Sequence, residues 1–80
     1  MDRKEYQTVK KKIKEMCIDN VRELAKQVGL NDYETKILEM INHGDSRVQM
    51  SLALGCCESK LTKDSRKIFV RILDQIKRQE

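Results

Sequence analysis

The sequence predicts an all-α fold, a small bundle of about five helices, and three observations carry that expectation. Charged residues make up 38% of the 80-residue chain and apolar ones 39%, with no Pro and no Trp. Apolar residues recur at spacings of three and four in stretches rich in Lys, Glu, Leu and Ile, whereas alternating β-branched runs are scarce. Gly29, Gly44 and Gly55 close such stretches, as residues that reach the left-handed region cheaply do at helix ends.

The opening stretch, Asp2 to about Met16, places Tyr6, Val9, Ile13 and Met16 on one face of a helix. Arg3, Lys4, Lys10, Lys11, Lys12 and Lys14 occupy the other face. That face reads either as an ordinary solvated surface or as an electropositive arm offering extra phosphate contacts. Asp19 is placed to N-cap a second helix from about Asn20 to Val28, with Val21, Leu24, Ala25 and Val28 on its apolar side. Asn31 and Glu34 have the spacing of a capping box for a third helix. Its Tyr33, Ile37, Leu38, Met40 and Ile41 cover so much of the circumference that it should lie centrally. Ser46 and Gln49 repeat the capping-box spacing for a short fourth helix ending at Gly55. After Gly55-Cys56-Cys57, a fifth helix begins near Glu58 and runs toward Lys77 with Leu61, Ile68 and Ile72 on one face. Its distal apolar residues, Val70, Ile72, Leu73 and Ile76, are expected to pack on the first helix or on another subunit.

Bulk properties bound what such a chain does. Eighty residues make one domain, 1–80, and a domain this small buries only about 60% of its unfolded surface. Three Cys without a Cys-x-x-Cys spacing suit reduced thiols better than a disulfide framework or a zinc site. No apolar run approaches the roughly 20 residues of a membrane span, so a cytoplasmic protein without a membrane partner is expected. No nucleophile–base pair, carboxylate dyad or Gly-rich phosphate loop is present, so no catalytic residue, cofactor or metal is expected, and the chain reads as a non-enzyme. His43 stands at a helix C-terminus, where the dipole favours a charged ring. Met16, Met40 and Met50 read as gap-filling core, and Cys56 and Cys57 as small turn residues.

The net charge of +4 is segregated. Residues 1–16 carry six basic side chains against three acidic, residues 17–45 three against six, and residues 46–80 eight against four. A segregated basic face suits a phosphate backbone better than a mixed surface does. A short helix, a Gly-containing turn and a longer basic helix also form the helix-turn-helix unit that presents its second helix to a DNA major groove.

Two registers are available for that unit. The segment 19–30 would make residues 32–42 the reading helix, with Asp32, Glu34 and Glu39 against Lys36. The segment around Gly55 would make it residues 58–71, with Lys60, Lys63, Arg66, Lys67 and Arg71 against Glu58 and Asp64. An acidic helix between phosphates is costly, so the later register is expected.

The later register also carries a family pattern: Leu30-x-x-x-Glu34-x-x-Ile37-Leu38-x-x-Ile41, Gly44-x-Ser46, Met50, Leu54-Gly55, Cys57-Glu58-Ser59-Lys60-Leu61, then Ile68 and Ile72. Over Leu30–Ile76 this resembles the LuxR/GerE-type helix-turn-helix domain and, more loosely, region 4 of bacterial sigma factors. The resemblance implies a helix-turn-helix core at 30–76 with a scaffold helix before the turn and a recognition helix after it. Residues 1–29 form an N-terminal helical extension outside it. Ser51 stands where such units usually carry Ala, so its hydroxyl needs a partner.

The expected function is that of a transcriptional regulator binding duplex DNA in a sequence-specific manner. Ser59, Lys60, Lys63, Asp64 and Lys67 are the candidates for base edges, and Arg47, Arg66 and Arg71 for phosphates. Asp64 would accept from a cytosine amine or orient Lys60. One short helix reads few base pairs, so a homodimer is expected. The alternative is a helical module that grips a protein, such as RNA polymerase, without touching DNA. Val48 and Leu52, four apart and too apolar for a solvent face, would serve such a partner or the dimer.

Overall fold

A computed structural model describes residues 2–79 and contains five α-helices: α1 (Arg3–Glu15), α2 (Ile18–Val28), α3 (Asp32–His43), α4 (Arg47–Leu54) and α5 (Glu58–Gln79). The chain is therefore all-α over the described residues, and none of these helices is long and apolar enough to cross a membrane.

Local sequence explains most of the helix ends. The Asp2 carboxylate accepts the Glu5 N–H and starts α1. Both capping boxes form, Asn31 with Glu34 at α3 and Ser46 with Gln49 at α4. Gly29, Gly44 and Gly55 end α2, α3 and α4 with positive φ. Behind Gly55 the Cys56 N–H reaches back to the Ser51 carbonyl, and the Ser51 hydroxyl donates to the Cys56 carbonyl. That double tie gives Ser51 its partner and fixes the chain's direction as it leaves α4.

One helix start differs from expectation. Helix α2 begins at Ile18 with Cys17 as an N-cap that makes no side-chain cap bond, and Asp19 lies inside the first turn. The Asn42 amide of α3 donates to the Ile13 and Met16 carbonyls at 2.8 and 2.6 Å, closing the end of α1 so that α2 begins at once. Asp19 instead places its charge in the first turn of α2, where the dipole favours it.

Helix α5 is the spine, packing against all four other helices, while α3 also packs on α1 and α2. The central position expected for α3 is observed: Ile37 and Leu38 are fully buried and Ile41 nearly so. They meet Val9 and Ile13 of α1, Val21 and Ala25 of α2, Met50 of α4 and the Leu61, Ile68, Phe69 and Ile72 stripe of α5. Met16 and Met40 pack against the edge of this core. The distal part of α5 divides. Ile72 is buried and Leu73 and Ile76 lean on the core, but Val70 points outward and is 41% exposed.

Arg71 fixes the end of α2. Its Nη2 donates to the carbonyls of Val28 at 2.8 Å and Gly29 at 3.3 Å, and its Nη1 lies 3.6 Å from the Glu34 carboxylate. A guanidinium is well suited to satisfy terminal carbonyls and an acid together. Because the side chain is partly open to solvent, Arg71→Met is expected to cost about 1 kcal/mol in urea denaturation. The same variant should weaken amide protection around Val28–Leu30 in hydrogen exchange.

Candidate nucleic-acid interface

All the site residues expected from the sequence except Arg71 fall into three groups on α5 and its neighbours, with Arg66 shared by two of them. Ser59, Lys63, Arg66 and Lys67 are all exposed on α5, opposite the buried stripe of Leu61, Ser65, Ile68 and Ile72. At 3.6 residues per turn these four form one continuous crest, extended by the outward Val70. Among the described residues none of Lys63, Arg66 and Lys67 is held in an ion pair. Free cationic groups on a convex helix can donate to guanine edges or to phosphates.

Lys60 and Asp64 lie on a flank of α5 and converge on Tyr33 of α3. The Tyr33 hydroxyl donates to the Asp64 carboxylate at 2.9 Å, and the Cys56 sulfur lies 3.7 Å from the same oxygen. The Lys60 ammonium stands over the Tyr33 ring, 5.5 Å from its centroid. Asp64 is therefore turned toward the fold, holding Tyr33, rather than paired with Lys60. Sequence spacing does not single out Tyr33 as a site residue, because its link to Asp64 spans 31 positions of sequence. Only its place on the α3 face hinted at it.

Partial burial pushes the Tyr33 phenol above its ordinary pKa of 10.0, and the hydrogen bonds to Cys56 and Asp64 and the negative charge of Asp64 push the same way. The folded state thus favours the neutral phenol. Its stabilisation is complete below the unfolded pKa of about 10 and is lost as pH rises toward the folded value. Tyr33→Phe is expected to remove about 1 kcal/mol near neutral pH. It should also flatten the fall in stability above about pH 10. Urea titrations at pH 8 and pH 10.5 check both.

Arg47 and Arg66 meet in a third group, lining one cleft between the start of α1, the start of α4 and the first half of α5. Arg3 lines it too, a residue read from sequence only as part of a basic helix face. Arg71 stands apart from all three groups, tied to the α2 terminus.

Exposed apolar groups mark the remaining surface. Val48 is 55% and Leu52 78% exposed, so both side chains of this i, i+4 pair face solvent although they are apolar. The tail residues Leu73 and Ile76, by contrast, are half-buried against the chain's own core.

No protein-family model matches the chain, and no curated protein or solved structure is significantly similar to it.

Proposed function

We propose that this chain is a cytoplasmic transcriptional regulator that binds duplex DNA by laying the crest of α5 in the major groove. The observation that carries the reading is the free row Ser59, Lys63, Arg66 and Lys67. That row sits on a long helix, which follows a short helix and a three-residue turn. Lys63 and Lys67 donate to base edges or phosphates, Ser59 adds a short polar contact, and Val70 offers an apolar contact for a thymine methyl. Lys60 flanks the crest, and Arg47 and Arg66 hold phosphates that set the register. Asp64 and Arg71 act through the fold, Asp64 by fixing Tyr33 and Arg71 by closing α2. The likeness of Leu30–Ile76 to LuxR/GerE-type domains supports the same assignment of scaffold and recognition helices to α4 and α5. A homodimer would read two half-sites about one DNA turn apart.

The test is fluorescence anisotropy of a random-sequence duplex at several salt concentrations. Binding at roughly 10⁻⁴ to 10⁻⁶ M that weakens steeply with salt is expected. A chain that stays unbound at low salt refutes the reading.

A second reading is favoured by one observation, the 78% exposure of Leu52 beside Val48. Under it α4 docks on a protein, such as RNA polymerase or a second copy, and the basic crest only keeps the chain soluble.

A further inference from the structure

We infer that the cleft lined by Arg3, Arg47 and Arg66 is a binding site for a phosphate group, built jointly by α1, α4 and α5. Its volume is about 280 Å³, and Thr62 and Tyr6 also line it. Three guanidinium-bearing side chains reach it from three different helices, and none of them is held by an acid among the described residues. Bringing like charges to one cleft opposes folding unless an anion neutralises them. A fork of N–H donors on a planar guanidinium matches phosphate oxygens two at a time, which is the chemistry that makes Arg a phosphate ligand.

The acids nearby offset this charge only in part. Asp2 lines the cleft and caps α1 by accepting the Glu5 N–H, so one carboxylate faces three guanidinium groups, and it is in no ion pair with them among the described residues. Asp45 lies in a smaller recess that shares Tyr6, Arg47 and Thr62 with the cleft, and its carboxylate is 2.7 Å from His43 Nδ1. Lys10 opens into that recess as well, adding a fourth cation. The floor is firm: the Tyr6 ring lies 4.8 Å from Phe69, centroid to centroid, and Ser65 is buried behind it. Docking of α1 is therefore what completes the cleft. The N-terminal extension supplies Arg3 and the wall, a role beyond covering the core.

A phosphodiester of duplex DNA and a free phosphate compound present the same chemistry to this cleft. The first source rests on the duplex-binding reading, and the second does not.

Titration of the ¹⁵N-labelled full chain with pyrophosphate tests the site, alongside duplex anisotropy against salt. Arg3→Gln and Arg66→Gln are compared with Lys26→Gln, which removes one exposed charge from α2, away from the cleft. The expected result is pyrophosphate-induced shifts centred on Arg3, Arg47, Thr62 and Arg66. Arg3→Gln should then weaken pyrophosphate binding at least fivefold, and Lys26→Gln less than twofold. If Arg3→Gln also lowers the duplex salt slope by about one, the phosphate is that of DNA. If the pyrophosphate loss is selective but the duplex slope is unchanged, or the wild-type chain binds no duplex, the site takes a free phosphate compound. Shifts scattered over every basic stretch, with Arg3→Gln no different from Lys26→Gln in both titrations, overturn the inference even where duplex binding is strong.

Discussion

Joint replacement of Lys60, Lys63 and Lys67 by Gln is expected to weaken duplex binding by about a hundredfold at low salt. Three charged contacts at about 1 kcal/mol each amount to that loss, with tenfold in affinity for every 1.4 kcal/mol or so. The slope of log affinity against log salt should fall by about one for each of these lysines that meets a phosphate. The fold should survive. Lys63 and Lys67 are exposed without ion-pair partners among the described residues, and Lys60 gives up only its approach to the Tyr33 ring. An exposed cation–π contact of that kind contributes about 0.5–1 kcal/mol. Urea midpoints near that of the wild-type chain would separate lost binding from lost structure. Unchanged duplex affinity in the triple variant would remove α5 from the interface. The same variant distinguishes the two functional readings, because a partner gripped through Val48 and Leu52 would still be captured.

Much of the fold was legible because its signals are local. The Asn31–Glu34 and Ser46–Gln49 boxes and the three glycines act within one helical turn, so spacing alone located α3, α4 and the joint before α5. The features that escaped sequence reading are those that close over distance. Asn42 ends α1 across 26 and 29 positions, and Arg71 ends α2 across 42 and 43. Neither residue type in isolation announces which carbonyl it will find. The early start of α2 at Ile18 follows from the first of these ties, which explains why a good capping residue such as Asp19 was passed over. At the candidate interface, exposure of Lys63, Arg66 and Lys67 followed from helical period. The turning of Asp64 toward Tyr33, and of Arg71 toward α2, required knowing that α2 and α3 pack against the flank of α5. Charge counting along the sequence could place five basic residues on the first part of α5, residues 58–71. It could not say which of them the fold had already engaged.

Phe69→Ala is expected to remove a large share of the chain's stability at 25 °C. Phe69 has no exposed surface, and its ring packs on Tyr6 of α1 with the two planes tilted by 46°. Truncating a buried Phe costs about 3–5 kcal/mol through lost transfer energy and the cavity left behind. At roughly 0.05–0.15 kcal/mol per residue, a chain of this length has a total stability of only about 4–12 kcal/mol. The loss is therefore a large share of the whole. Phe69→Leu keeps most of the volume and should cost about 1.5 kcal/mol, which leaves a measurable transition as the reference. Leu52→Ala, at a site 78% exposed, should stay within about 0.5 kcal/mol of wild type. Because Tyr6 and Phe69 touch, Tyr6→Ala and Phe69→Leu should combine to less than the sum of their separate costs in urea denaturation. Additive costs would mean that α1 docks independently of this ring pair. Coupled costs would place α1 in the same cooperative unit as α5. The N-terminal extension would then be part of the machinery that holds the basic crest in place, since α5 could not lose α1 without losing its own packing.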